Sequence, residues 1–505
     1  MLRTILLKTK MSNFGLPQRS ISSLIQSKGF INGSWVDSSN SETFAVTNPA
    51  NGKVIGNVPN MTADDAVKAV AAAKKALHAP EWAGLTAKQR SVMLKCWYNL
   101  IEQNRDEIAK IMTAESGKPI NESLGEVTYG NSFIEWFAEE ARRINGEVIP
   151  SPTPNRELIV LKQPLGVAAL ITPWNFPLAM ITRKAGAALA AGCTVVIKPA
   201  EDTPLTCLAV AKLSVDAGIP NGVINVVTTN KSAPVGNVLC TSPDVAGISF
   251  TGSTDVGKLL YRNCADGVKR ISLELGGNAP FIVFDSANIE KAVDGAIASK
   301  FRNCGQTCVS ANRFFVQEGV YDKFIELLKT KVAALKIGSG DGPDVQIGPL
   351  INKAQFLKIS SFVDDAKKLN ATIIAGAKPR PDIGELFYEP TIITDVKPPM
   401  KLYTDEVFGP VLSIIKFKEE EEAISRANDT NSGLAGYFYS ENVQQIFRVA
   451  RKLEVGMIGI NEGIISTAEA PFGGVKQSGI GREGSHYGID EYVEVKYLCL
   501  GNLKN

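Results

Sequence analysis

The segment SKFRNCGQTCVSANR, residues 299–313, places Cys304 and Cys308 four positions apart. A thiolate is a strong nucleophile toward a carbonyl carbon, and the thioester it forms is easily hydrolysed. Such a thiol needs a base. The chain has only two histidines, His78 and His486, both far from this segment in sequence, so a Cys–His pair would have to be assembled from distant parts. A carboxylate is the remaining candidate. Residues 273–277, LELGG, offer Glu274 in an apolar, glycine-rich setting where desolvation raises a carboxyl pKa toward neutrality. Against this, a single cysteine in a core is usually inert and an isolated glutamate is usually solvated.

Two further stretches have the residue types of a nucleotide site. The tetrapeptide KPAE, Lys198, Pro199, Ala200 and Glu201, follows an apolar run that reads as a strand. Beyond the carboxyl end of a parallel strand an ammonium can hold ribose or phosphate oxygens, and a carboxylate can accept from two ribose hydroxyls. The same carboxylate repels a 2′-phosphate, so Glu201 favours NAD over NADP. A surface turn with solvated charges explains this tetrapeptide equally well. GSTDVG, comprising Gly252, Ser253, Thr254, Asp255, Val256 and Gly257, follows another strand-like run. Glycines there let backbone amides approach a pyrophosphate at a helix start. It is not GxGxxG, and alone it is as consistent with an ordinary turn.

The elements that must carry these residues are legible as alternation. GVAALITPW, CTVVIKP, VINVVTT and GISFTGS are short apolar runs, with helix-like segments over 178–191 and 203–216 between the first three. That pattern predicts a doubly wound parallel sheet buried on both faces. A second unit of the same kind begins near Pro280 with PFIVFDS and a helix over 288–302. Two α/β units side by side create a crevice in which ligands bind. Upstream, residues 29–58 read as hairpins, and Thr62 to Asp65 resembles a capping box for a helix running to Leu77. Further helices are predicted over 87–103, 105–114 and 122–143.

The chain has 505 residues, too many for one core, with a formal net charge of +2 and 21% charged residues. That balance gives no reason to expect nucleic acid or an anionic membrane as partner. Its longest uncharged run, residues 163–182, contains three prolines and reads as no membrane span. Eight dispersed cysteines without a CxxC indicate neither a disulfide framework nor a zinc or other metal site. The first thirty residues carry five basic residues, five serines and no acid. This is the profile of a mitochondrial transit peptide, expected over 1–28, although a basic disordered tail has the same composition.

FRNCGQTC, LELGG, TPWNFPLAM, VIKPAEDTP, FTGSTDVG, EVFGPV and PFGGVKQSGIGRE together resemble the aldehyde dehydrogenase superfamily in order and spacing, from Gly29 to Leu500. The resemblance implies an α/β fold of two doubly wound Rossmann-like units with a small β oligomerisation arm. It implies a NAD-binding domain over 29–142 and 164–274, a catalytic domain over 275–463, and an arm over 143–163 and 487–503. It makes Cys308 the nucleophile, Asn175 the oxyanion donor assisted by the Cys308 N–H, and Glu274 the base that activates water. NAD would be held by Lys198 to Glu201, by residues 252–257, and by Trp174, Glu406 and Phe408. Cys304 is a bystander.

Within the superfamily the chain most resembles the mitochondrial members that oxidise succinate semialdehyde, the last step of 4-aminobutanoate degradation. Arg183, Arg302 and Ser466 stand where those members hold the substrate carboxylate, and arginine suits that task bidentately. Without the resemblance, both arginines read more simply as structural ion pairs. Some members carry a second cysteine two residues after the nucleophile; here it is Ser310, so no thiol switch of that form is expected. A matrix homotetramer acting on a small aldehyde is the expectation, with glutarate semialdehyde or another aldehyde as the alternative substrate. A thiol hydrolase or acyltransferase is the reading from a different class.

Overall fold

The computed structural model describes residues 24–503, so most of the expected leader lies outside the described residues. Two sheets and a small arm organise the chain. The first sheet runs, in spatial order, Ser34–Val36, Gly29–Ile31, Ile224–Val226, Thr194–Lys198, Val167–Ile171, Val245–Thr251, Arg270–Glu274 and Gly479–Ile480. Its five central strands are parallel. Val167–Ile171 and Thr194–Lys198 are buried along their whole length, which is why they read as unbroken apolar runs rather than alternating ones. Strand order reverses about Val167–Ile171, with its chain successor on one side and Val245–Thr251 on the other. Ligands bind at such switch points, beyond the carboxyl ends of the strands.

The second sheet has seven strands, ordered Thr372–Ala375, Thr391–Thr394, Val411–Phe417, Ala311–Gln317, Ala279–Val283, Ala435–Tyr439 and Met457–Ile460. All neighbours are parallel except the first pair. Ala279 pairs with Ala311, so the residues just before these two strands are brought side by side. Those residues are the Gly276–Gly277 turn and the Cys308 loop. Glu274, which ends the last parallel strand of the first sheet, is joined to Ala279 by only residues 275–278.

Local chemistry fixes the helices. Thr62 and Asp65 form the reciprocal capping box of Ala63–Leu77, and Thr86 and Gln89 that of Ala87–Gln103. Arg105–Ser116 runs two residues further than its pattern suggests, to a left-handed Gly117 at φ 74°. Ile120–Glu140 starts two residues earlier than expected, directly after Pro119, and Ala141–Arg143 continues it as a 3-10 turn. Pro119 supplies an extended entry and the absent N–H is no loss at a helix start. The three-stranded arm pairs Val493–Leu500 with Glu157–Pro164, and the latter with Glu147–Ile149. Among the described residues no helix is long and apolar enough to cross a membrane.

Leu24 is fully buried in the core that contains Trp97, Ile101 and Leu208, and Ile25 packs against it. A leader ending at residue 28 would therefore take a core side chain with it. Deletion of residues 1–23 should leave thermal unfolding unchanged. Deletion of 1–28 should lower stability by about 2 kcal/mol, the worth of one buried leucine, read as a lower melting temperature in the same buffer.

Candidate active site

A cavity of about 200 Å³ opens where the carboxyl end of the first sheet faces the amino end of the second. It is lined by Trp174, Asn175, Gly252, Ser253, Glu274, Cys308, Gln355, Lys358, Glu406 and Phe408 among others. The turn at Gly276 and Gly277 lets its walls close up. A Cβ at Gly276 would lie 2.8 Å from Glu406 Oε2, and one at Gly277 2.7 Å from the Cys308 carbonyl oxygen. The Gly277 N–H donates to Glu406 Oε1 at 2.9 Å. The Trp174 and Phe408 rings meet edge to face at 5.4 Å.

Cys308 is half-buried on the loop after the 3-10 turn Arg302–Gly305. Burial pushes its thiol up to about 12, with Glu406 and Glu274 acting the same way and the Arg183 and Arg302 guanidinium groups opposing. Cys304 is fully buried and its thiol is pushed up further, so it is inert. Ser310 is also buried, its Oγ donating to the Lys300 carbonyl at 3.4 Å.

Glu274 is buried, and neither of its carboxylate oxygens has a hydrogen-bond partner. Its pKa is raised well above the carboxylate range, first by desolvation and then by Glu483, against Arg183, Lys184 and Arg482. Burial thus holds Glu274 in its protonated form, and it becomes a base only after a water or polar ligand that reaches it stabilises the carboxylate and releases that proton.

Asn175 is held from three directions. Its Nδ2 donates to the Gln306 carbonyl at 3.1 Å, while its own carbonyl accepts from Lys118 Nζ at 3.0 Å and Asn303 Nδ2 at 2.9 Å. Lys118 is in turn paired with Glu126, both side chains almost fully buried, and Glu126 accepts from the Leu178 and Ala179 N–H groups. One N–H of the Asn175 amide is thus used within the protein while the residue lines the cavity, and a donor held in place this way reorients at no cost during reaction.

Arg183, Arg302 and Ser466 do not line this cavity; all three act on Tyr129. Burial raises the Tyr129 phenol pKa, the Arg183 and Arg302 guanidinium groups oppose it, and Ser466 hydrogen-bonds it. Cys308 is close enough to contribute to the same balance. The ion-pair reading of Arg183 holds for part of the side chain. Its Nε pairs with Glu483 and its guanidinium lies 4.5 Å over the Phe472 ring, yet its buried Nη2 has no partner. Arg302 lies over the Phe176 ring at 5.1 Å.

Of the candidate dinucleotide residues, Trp174, Gly252, Ser253, Glu406 and Phe408 line the cavity. Lys198, Pro199, Ala200, Glu201, Thr254, Asp255, Val256 and Gly257 are not among its lining residues; Glu201 lines a separate cavity with Asp202 and Asn352. Lys198 is buried at the end of its strand, 3.2 Å from the more exposed carboxylate of Glu201. Thr254, Asp255, Val256 and Gly257 form the first turn of the helix Thr254–Ala265, capped by Ser253. Gly252 and Gly276 line the cavity without side chains, Ser253 at its edge caps the helix Thr254–Ala265, and Glu406 accepts from Gly277 on one oxygen, groups of the kind that could hold part of a dinucleotide. Among the described residues no group of three or more His, Cys, Asp or Glu side chains could hold a metal ion.

Sequence reasoning missed several residues here. Gln355 and Lys358 line the cavity from the helix Lys353–Lys368, where an amphipathic surface pattern hides them. Glu483 pairs with Arg183 and Lys184, and lies in a strand-poor, glycine-rich stretch with no periodicity to read. One signal was available: Arg183 and Lys184 are two cations within the otherwise apolar, fully buried helix Ala179–Ala191, and buried charge demands a partner.

A matching family model, the aldehyde dehydrogenase family, covers residues 35–498. The chain belongs to that family. Succinate-semialdehyde dehydrogenase [NADP(+)] GabD of Escherichia coli (strain K12) is 53% identical over 95% of this chain and 99% of its own. The mitochondrial succinate-semialdehyde dehydrogenase of Mus musculus is 53% identical over 97% of this chain and 95% of its own. Glutarate-semialdehyde dehydrogenase of Pseudomonas aeruginosa (strain PAO1) is 52% identical over 95% and 99%. The crystal structure of an E. coli NADP-dependent enzyme superposes with a TM-score of 0.94 at 52% identity, covering 95% of this chain and 99% of that one. The architecture is therefore the aldehyde dehydrogenase fold, as the ordered motifs imply.

The two cysteines of the opening segment should differ sharply toward iodoacetamide. With its thiol near 12, Cys308 is mostly protonated at neutral pH, so its alkylation should accelerate roughly tenfold per pH unit through pH 9. Cys304 should stay unmodified in the folded protein. Peptide mass spectrometry of time courses reads both.

Proposed function

We propose that the protein oxidises succinate semialdehyde to succinate with NAD. The observation that carries the substrate is the pair of guanidinium groups, Arg183 and Arg302, gathered with Ser466 around Tyr129 beside Cys308. An uncharged aldehyde has no use for a buried and a half-buried guanidinium, whereas a carboxylate at the far end of a short aldehyde would be clamped by them. The relatives that oxidise succinate semialdehyde support this reading.

The proposed roles are those the family resemblance implies, and the cavity holding Cys308, Asn175 and Glu274 supports them. The Cys308 thiol gives its proton to water and on to bulk solvent, the thiolate sulfur bonds to the aldehyde carbon, and the carbonyl π pair moves to oxygen as an oxyanion. Asn175 Nδ2 and the Cys308 N–H hold that oxyanion; loss of one such donor costs about 3–4 kcal/mol. The dinucleotide, when bound, supplies the hydride acceptor, with Glu406, Phe408, Trp174, Lys198 to Glu201 and residues 252–257 as its contacts. The acyl group then rests on Cys308 as a thioester. Glu274 takes a proton from the attacking water, the C–S bond breaks, and the Cys308 thiolate is regenerated as the carboxylic acid departs.

Glu201 favours NAD, because its exposed carboxylate suits ribose hydroxyls and repels a 2′-phosphate. The NADP(+) in the name of the E. coli relative makes this the part of the reading most in need of a direct assay. Glutarate semialdehyde is the second reading, favoured by the Pseudomonas relative. One methylene changes binding in a pocket by about 1–3 kcal/mol, a matter of pocket length rather than of the clamp.

We further assign residues 29–142 with 164–274 to dinucleotide binding, 275–463 to catalysis, and 143–163 with 487–503 to an oligomerisation arm. Val148, Val495 and Tyr497 are exposed on that arm, and an exposed sheet edge of this kind is normally buried by pairing. A homotetramer in the mitochondrial matrix fits the arm, the basic leader and the mitochondrial relative, with the leader ending before Leu24.

Reduced-dinucleotide formation from succinate semialdehyde and propionaldehyde, with NAD and with NADP, tests the reading on wild type and Arg302→Ala. Wild type should prefer the semialdehyde and NAD. Arg302→Ala should lose at least tenfold in kcat/KM for the semialdehyde while propionaldehyde oxidation changes little. Equal use of both aldehydes by wild type would refute the substrate. A separate check concerns the base. Glu274→Gln should release one equivalent of NADH in a burst and then stall, with the succinyl thioester on Cys308 visible as added mass; a variant that never shows the burst would deny Glu274 its role in hydrolysis.

A further inference from the structure

The turn that carries Arg302 is strained. Asn303 and Cys304 have φ of 54° and 55°, and Gly305 follows at 73°. Left-handed backbone at consecutive non-glycine residues persists only where the surroundings hold it. The holding contact comes from the opposite wall. Glu122, in the first turn of the helix Ile120–Glu140, accepts the Asn303 N–H on Oε2 at 2.7 Å. The Asn303 side-chain amide spans to the Asn175 and Gln306 carbonyls at 2.9 and 3.1 Å. Arg302 forms no salt bridge among the described residues, and its guanidinium rests on the Phe176 ring. No ion pair therefore fixes its direction.

We propose that Glu122 is a positioning residue for recognition of the substrate carboxylate: by pinning the Asn303 N–H it fixes the direction in which Arg302 presents its guanidinium beside Cys308. The inference rests on Arg302 acting as a carboxylate clamp. The charged groups facing Glu122 are Lys118 and Arg302, with Glu126 opposing them, and burial lifts its carboxyl to about 7. Glu122 is thus close enough to feel Arg302 without pairing with it, and the guanidinium stays available to a ligand. The oxyanion donor has separate support, because the Asn175 carbonyl is also held by Lys118 Nζ at 3.0 Å. Releasing the turn should therefore disturb substrate binding more than the chemical step.

Steady-state kinetics of the full chain with succinate semialdehyde and with propionaldehyde tests this in Glu122→Ala, Glu122→Gln and Arg302→Ala. Glu122→Ala should raise KM for the semialdehyde about tenfold with kcat within about twofold, and leave both constants for propionaldehyde within about twofold. Glu122→Gln retains an oxygen acceptor and should stay within about threefold of wild type. Should Glu122→Ala fail to fold, Glu122→Asp, which withdraws the carboxylate by one methylene, should give the same rise in KM. Equal effects on both aldehydes, no effect on either, or a Gln variant as impaired as Ala would overturn the proposal. If Arg302→Ala loses the semialdehyde preference and Glu122→Ala keeps it, only the role of Glu122 is wrong. If Arg302→Ala keeps the preference, the clamp itself falls and this proposal with it.

Discussion

Four residues, 275–278, separate the last parallel strand of one sheet from the first strand of the other, and the chemistry of the molecule depends on that short crossing. It forces the carboxyl end of the first sheet against the amino end of the second. Glu274 stops at one side, and the parallel register of Ala279 with Ala311 delivers the Cys308 loop at the other. Such a close approach needs backbone without side chains. Gly276 and Gly277 supply it, one against Glu406 and one against the Cys308 carbonyl.

Closing two sheets end to end dries the space between them, and desolvation is the first cause of nearly every shifted group there. It pushes the Cys308 thiol and the Glu274 and Glu122 carboxyls up, and it pushes the Lys300 ammonium down to about 7. Each group is moved toward its neutral form, as burial requires. Among the fully buried groups, charge survives where a partner is close. Glu483 keeps its pKa low between Arg183 and Lys184, and Lys118 is matched by Glu126. Removing one member of such a pair strands a buried charge, which is far more destabilising than the pair is stabilising. These pairs are best understood as fixing positions: one orients Arg183, the other the backbone of Asn175.

Strain is the complementary device. Arg302–Gly305 passes through left-handed backbone, and Phe408 also has a positive φ, 55°. Both segments border the cavity region, and both are held by hydrogen bonds from neighbouring helices, Glu122 to Asn303 and Gln355 to the Phe408 carbonyl. Rigid helices thus hold loops in conformations the loops would not adopt alone, so that reactive side chains sit in place before a ligand arrives.

The sequence by itself determined the α/β class, the parallel strands, most helix bounds and the family. Buried parallel strands are apolar throughout, capping boxes are local, and the motifs around Cys308, Glu274 and Asn175 are contiguous in the chain. What it left open is everything set by contacts distant in sequence. Gly479–Ile480 joins the edge of the first sheet beside Leu273 and Glu274, bringing Glu483 to Arg183 across three hundred residues of chain, and no periodicity announces this. Leu24 reads as part of a basic leader but is a core residue, because composition cannot report burial. Arg183 reads either as an ion pair or as a ligand arm; the tertiary structure pairs its Nε with Glu483 and leaves its buried Nη2 without a hydrogen-bond partner. Residue type and local pattern specify which groups can do chemistry. Only packing, which fixes distance and excludes water, decides which of them meet and in what protonation state.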